Sequence, residues 1–225
     1  MGNNVAVVLS GCGFKDGSEI HEAVSCLVHL SRHGLAYRCF APDAPQARVV
    51  NHATGQPSGE TRNRMVEAAR IARGAIEPLA KLRVDGFDAV VFPGGFGAAT
   101  NLCDFGSGGG ADCTVRSDVA RVIKEFHAAR KPIGVVCIAP VLVARVLGTQ
   151  AGGPGVGVTI GSDEGTAKAI AQMGSTNVPK KVTEAHVDAA NRILSTPAYM
   201  CEAKPHEVFE GVGKLVEQLA KMLVK

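Results

Sequence analysis

The chain has 225 residues, 46 % of them hydrophobic and 20 % charged, with a formal net charge of +3 at pH 7. That length and apolar content suit one α/β domain and exclude a disordered chain, while the charge supplies no basic field for nucleic acid. Seven cysteines at irregular spacing, with no CxxC pair, argue against a disulfide framework or a zinc site and for a reducing compartment. The N-terminal residues lack the charged and long apolar regions of a signal peptide, Ala6 stands where a myristoylation motif wants Ser or Thr, and no apolar run approaches a membrane span. A mitochondrial or cytoplasmic protein is expected, not a secreted one.

The predicted elements alternate. "NVAVVLSG" (4–11) reads as a buried strand ending in glycine. Residues 17–34 read as a helix, with Ile20, Ala23, Val24, Leu27, Val28 and Leu30 as its apolar stripe and Gly34 as its stop. Residues 35–42 form a second strand, completing a βαβ opening. The stretch 43–86 is irregular, with a short helix fitting 61–69. "FDAVVFPGG" (87–95) is the clearest strand, followed by an amphipathic helix over 115–131 on Val119, Val122, Ile123 and Phe126. A strand at 132–137 passes into a helix at 139–148. The Gly-rich stretch 149–157 reads as a loop, 158–161 as a short strand and 162–174 as a capped helix. Residues 192–200 are a strand with a turn, and 206–225 a closing amphipathic helix. Val, Ala, Leu and Ile dominate the apolar content and aromatics are scarce, which suits a parallel sheet covered by helices. Repeats and linkers are absent, so a single domain spanning 1–225 is expected.

In such sheets the active crevice lies at the carboxyl ends of the strands. Three strand ends carry candidate chemistry: "SGCGFKDGSE", "FPGGFGAATN" and "VVCIAP". Cys137 stands where a strand hands over to a helix. There, free N–H groups and the helix dipole favour the thiolate, although a buried Cys is also an ordinary small hydrophobe. Glycines at 93–95 either make a tight turn or point N–H groups at a ligand, forming with the N–H of Ile138 an oxyanion hole. Glu19 fits a D-x-x-E capping box with Asp16; alternatively its carboxyl stands beside Cys137 and shuttles protons. His186 and His21 are the histidines best suited as cysteine partners, and Cys12, after the first strand, is a further auxiliary candidate.

Together, "PGG" at 93–95, C-x-x-P at 137–140 and an acid after the first strand resemble the superfamily of PfpI-type proteases, the Parkinsonism-associated deglycase and class I glutamine amidotransferases. More narrowly, "LSGCGFKDGSEIHEA" (9–23), "FAPD" (40–43), "FPGGFGAATNL" (92–102), "CIAP" (137–140) and "TPAYM" (196–200) resemble the ElbB-like proteins, over nearly the whole chain. The Gly-rich stretch at 149–157 departs from that pattern. The resemblance implies an α/β flavodoxin-like three-layer sandwich with a mainly parallel sheet, and a homodimer. It implies Cys137 as nucleophile, Glu19 as its carboxyl partner, and Gly94, Gly95 and Ile138 as backbone donors, with no cofactor and no metal. It also implies a weak glyoxalase-like activity turning a small dicarbonyl such as glyoxal into a hydroxy acid. No His-x-Glu pair follows Cys137, which argues against glutamine hydrolysis, and no histidine lies between Cys137 and His186. That gap leaves open a non-enzymatic alternative: a redox-sensing or partner-binding protein on the same fold.

Overall fold

The computed structural model describes residues 3–224. In chain order its elements are β1 (Asn4–Val8), α1 (Ile20–Arg32), β2 (Ala36–Ala41), α2 (Arg64–Ala68), β3 (Ile76–Pro78), β4 (Ala89–Phe92), α3 (Phe96–Thr100), α4 (Ser117–Ala128), β5 (Ile133–Val136), α5 (Pro140–Leu147), β6 (Gly157–Val158), α6 (Glu164–Gln172), β7 (Thr176–Asn177), β8 (His186–Asp188), β9 (Ile193–Thr196) and α7 (Pro205–Leu223). Seven strands form the main sheet in the order β3-β2-β1-β4-β5-β9-β8. All pair in parallel except β8, which runs antiparallel to β9. β6 and β7 make a separate two-stranded pair.

Alternation along the strands builds two cores. Ala6, Val8, Val90 and Phe92 face a cluster completed by α4, α5 and α6. Val5, Val7, Ala89 and Val91 face the other, completed by α1 and α7. Both faces of the parallel sheet are thus covered, which is why its strands read as unbroken apolar runs. Strand order reverses between β1 and β4, and the crevice at that switch point is where a site is expected.

Several expectations are corrected. The stripe assigned to α1 lies partly on its outer face: Ile20, Val24 and Val28 are exposed, and the buried residues are Glu22, Ala23, Ser25, Cys26, His29 and Leu30. The D-x-x-E capping box does not form. The helix starts at Ile20, capped by Glu19, while Asp16 accepts the N–H of Val50 at 2.8 Å. The irregular stretch contains an edge strand, β3, and a shorter helix than expected, capped by Asn63. Short β7 and β8 have too few residues for an alternation signal.

Asn101, 1 % exposed, fastens the loop after β1 to the end of α3. Its Nδ2 donates to the carbonyls of Ser10 and Asp16 at 2.7 and 2.8 Å, and its Oδ1 accepts from the N–H of Ala47 at 2.8 Å. Truncation to alanine orphans three backbone groups, at ~1–3 kcal/mol for each one left buried and unpaired. Asn101→Ala is therefore expected to lower unfolding free energy by about 3 kcal/mol in urea titration, with an unchanged m-value.

Candidate active site

β5 is buried along its whole length, and the chain leaves it through Cys137 with φ at +62°. The left-handed conformation costs an L-residue roughly 1–2 kcal/mol. Its surroundings hold it there: the N–H of Cys137 donates to the Thr196 carbonyl at the end of β9, 2.9 Å away. The same turn exposes backbone donors, and the N–H groups of Gly95 and Ile138 hydrogen-bond the sulfur. Pro140 then opens α5, where its missing N–H costs nothing.

The carboxyl on the thiol is Glu22, not Glu19. Glu22 lies in the first turn of α1 with no exposed surface and hydrogen-bonds the Cys137 side chain. Its Oε2 accepts from the N–H of Gly94 at 3.1 Å, and its Oε1 from the N–H of Tyr199 at 3.4 Å. Glu19 stands three residues earlier as helix cap, with its Oε2 accepting the N–H of Glu22 at 2.7 Å. Gly94 therefore serves the carboxyl rather than the sulfur. Its lack of a side chain is required, because a Cβ there would meet Cys137 Cβ and lie 2.6 Å from Glu22 Oε2. Gly95, at φ +92°, occupies a conformation that favours glycine.

Burial, then the charge of Glu19, push the Glu22 carboxyl up to about 8. Burial, then the Glu22 carboxylate, raise the Cys137 thiol well above its ordinary value, against the lowering effect of the Gly95 and Ile138 N–H groups. The expected depressed thiol is thus corrected. Two amide donors do not offset complete desolvation beside an acid. At neutral pH the carboxyl and the thiol of the resting centre therefore each favour their protonated form.

Cys137 and Ile138 line a cavity of ≈ 660 Å³ whose wall is mostly apolar, with Phe14, Phe96 and Phe105 among its residues. Glu19, His21 and Tyr199 supply polar groups. His21 Nδ1 lies 2.7 Å from the Tyr199 hydroxyl and 3.8 Å from Glu19 Oε1. Among the described residues, no group of three or more His, Cys, Asp or Glu side chains is arranged to hold a metal ion.

No sequence-family profile matches the chain. Curated relatives do. The human glutamine amidotransferase-like class 1 domain-containing protein 3, mitochondrial, is 51 % identical over 98 % of this chain and 84 % of its own length. The rat ES1 protein homolog, mitochondrial, is 49 % identical over the same shares. The chain belongs to the ES1 family. A crystal structure of an isoprenoid biosynthesis protein with an amidotransferase-like domain, from Ehrlichia chaffeensis, superposes on this ES1-family fold with a TM-score of 0.90 at 38 % identity, covering 98 % of this chain and all of that one. Drosophila DJ-1beta, at 18 % identity and a TM-score of 0.54, shares the fold. The ElbB-like resemblance and the flavodoxin-like α/β class read from the sequence are both shown by these matches. The relatives are mitochondrial by name, in line with the mitochondrial alternative for the compartment, and no helix of the described residues is long and apolar enough to cross a membrane.

Of the residues singled out in this ES1-family sequence, Cys137, Gly95, Ile138, Glu19 and His21 line the cavity. Two auxiliary candidates do not. His186 is on β8 at the sheet edge, beside Gly157 and Asp188. Cys12 packs against the core on the α1 side. Glu22 and Tyr199 were missed. A signal for Glu22 existed: it precedes Cys26 and Leu30 at four-residue steps, an acid on the buried stripe of a helix.

Glu22→Gln removes the carboxylate that raises the thiol. The pH midpoint of Cys137 alkylation by iodoacetamide, followed on the Cys137 peptide by mass spectrometry, should fall, and fall further than in Glu19→Gln. Stability carries a second signature. Folded Glu22 keeps its proton where the unfolded chain has released it, so stability should fall as pH rises from about 4.5 towards about 8. Urea titrations across that range should show a flatter profile for Glu22→Gln.

Proposed function

We propose that this protein is a cysteine-dependent, glyoxalase-like enzyme acting on dicarbonyls. The observation that carries this reading is the buried Cys137–Glu22 contact, with the Gly95 and Ile138 N–H groups on the sulfur, facing a mostly apolar cavity. A carboxyl pushed up to about 8 is matched to taking and returning protons near neutral pH.

In the proposed reaction the ionised fraction of Glu22, present near neutral pH because its carboxyl is pushed up only to about 8, takes the thiol proton as Cys137 Sγ adds to an aldehyde carbon. The carbonyl electron pair moves to oxygen, which the Gly95 and Ile138 N–H groups stabilise before it is protonated. The hemithioacetal carbon then loses its proton and the neighbouring carbonyl carbon gains one, through an enediol, leaving a thioester. His21, held by Tyr199, is the cavity side chain suited to that transfer. Water cleaves the thioester, releasing the hydroxy acid and restoring the thiol. Glyoxal plus water thus gives glycolate with no external oxidant. The cavity is far larger than glyoxal and walled by phenylalanines, so a 2-oxoaldehyde bearing an apolar group fits it better.

Glyoxal and phenylglyoxal are the substrates to test, with the hydroxy acid quantified by chromatography. Cys137→Ala should abolish turnover of both. Glu22→Gln should lower kcat/KM by ~10²-fold or more, the usual range for loss of a general acid–base group. Undiminished turnover in Cys137→Ala would overturn the reading.

A further inference from the structure

The rim of the Cys137 cavity carries unpaired positive charge. Phe14 and Phe96 line the cavity yet are 45 % and 49 % exposed, so they form its outer edge. The Phe96 N–H donates to the Phe14 carbonyl at 2.7 Å, which sets the two residues side by side beyond β1 and β4. Each ring has a cation over it. Lys15 Nζ stands 5.4 Å from the centroid of Phe14, and the Arg48 guanidinium carbon 5.4 Å from that of Phe96.

Both cations are held in place. Arg48 Nε and Nη2 donate to the Lys15 carbonyl at 3.2 and 2.9 Å, and the Lys15 N–H donates to His52 Nε2 at 3.2 Å. A Cβ on Gly55 would lie 3.0 Å from Lys15 Nζ, so the bare glycine makes room for the ammonium. Among the described residues neither cation pairs with a carboxylate. The neighbouring acid, Asp16, is engaged elsewhere: its Oδ2 accepts the Val50 N–H at 2.8 Å and its Oδ1 lies 3.7 Å from His52 Nε2. The clamp on the Lys15 carbonyl leaves the Nη1–Nη2 edge of Arg48 with N–H groups to donate, a fork that matches two oxygens of an oxyanion.

We propose that Lys15 and Arg48 form an anion-binding rim that selects, among 2-oxoaldehydes, those whose apolar body ends in an oxyanion, a carboxylate or a phosphate monoester. The aldehyde half of this statement rests on the glyoxalase-like reading above; the anion half does not.

Packing alone would be served by the stems of the two side chains, which cover apolar surface wherever they lie on it. Two charges with no acid partner, on the two rings of one cavity rim, point instead to an anion. The rim is also close to the reacting atom, since Phe96 directly follows Gly95 and both line the cavity with Cys137. In the sheet β5 stands between β4 and β9. The rim beyond β4 and Tyr199 beyond β9, with His21 on its hydroxyl, therefore flank Cys137 on opposite sides. Glu19, the acid among the lining residues, lies 3.8 Å from His21 and repels an anion from that side. An apolar wall gives a hydrocarbon affinity without direction, and a few placed polar groups fix its orientation. Charge supplies that orientation here: the oxyanion at the rim, the body along the phenylalanines, and the dicarbonyl between the sulfur and His21.

The test begins without turnover. In the full chain carrying Cys137→Ala, the dissociation constants of 4-acetylbenzoate, 4-acetylphenyl phosphate and the neutral 4-acetylbenzamide are measured by ligand-observed NMR titration at fixed ionic strength. At least one anion should bind ~10-fold more tightly than the amide, the lower end for hydrogen bonds to charged groups, and the tighter anion identifies the oxyanion. Lys15→Gln together with Arg48→Gln should bring that ratio towards one, and each substitution alone should lower it; if the double variant fails to fold, the single ones decide. Equal binding of the amide and both anions, no saturable binding of either anion, or an anion preference that survives the substitutions would overturn the proposal. Initial rates of the wild-type chain separate it from the reaction. 4-Carboxyphenylglyoxal should show a higher kcat/KM than phenylglyoxal, mainly through KM. A chain that prefers the anions but converts neither arylglyoxal overturns the glyoxalase-like reading and upholds the anion rim. Turnover of phenylglyoxal with no anion preference overturns the rim alone.

Discussion

One buried carboxyl ties the upper end of the sheet together. Glu22 comes from α1, yet its oxygens meet the N–H of Gly94 after β4, the thiol of Cys137 after β5 and the N–H of Tyr199 beyond β9. Its own N–H is held by Glu19. A polar group with no solvent is costly unless hydrogen-bonded, and this one sits where three strand ends supply partners. The strained cysteine and the glycine after β4 follow from that convergence. Cys137 must turn left-handed to bring sulfur to the carboxyl, and position 94 must lack a Cβ so that the two can meet.

The electrostatics follow from the same burial. A solvated thiol at a helix start would drift towards thiolate, but here desolvation and a neighbouring acid act in the opposite sense. The centre holds its protons rather than resting as an exposed anion. In the proposed reaction that arrangement would favour addition to a bound carbonyl with concurrent proton transfer, and the apolar wall would strengthen the effect of the two directed N–H groups where water is scarce.

The sequence by itself determined the α/β class, the places of the central strands along the chain and the position of the cysteine at a strand-to-helix junction. These depend on local signals: apolar runs of strand length, helical spacing, Gly and Pro at the turns. It also set Cys137, Gly95 and Ile138 at strand ends, and all three line the cavity because parallel strands leave their carboxyl ends on one side. Only the tertiary structure decided between Glu19 and Glu22. Both are acids at the head of one helix, and which is buried depends on where that helix starts and how it is rotated against the sheet. The exposed Ile20, Val24 and Val28 show the same ambiguity, since an apolar residue gains from burial but its position does not say which face will be covered. His186 and Cys12 were separated from the cavity for a related reason: proximity across 49 or 125 residues of chain is set by packing, which no spacing along the chain encodes.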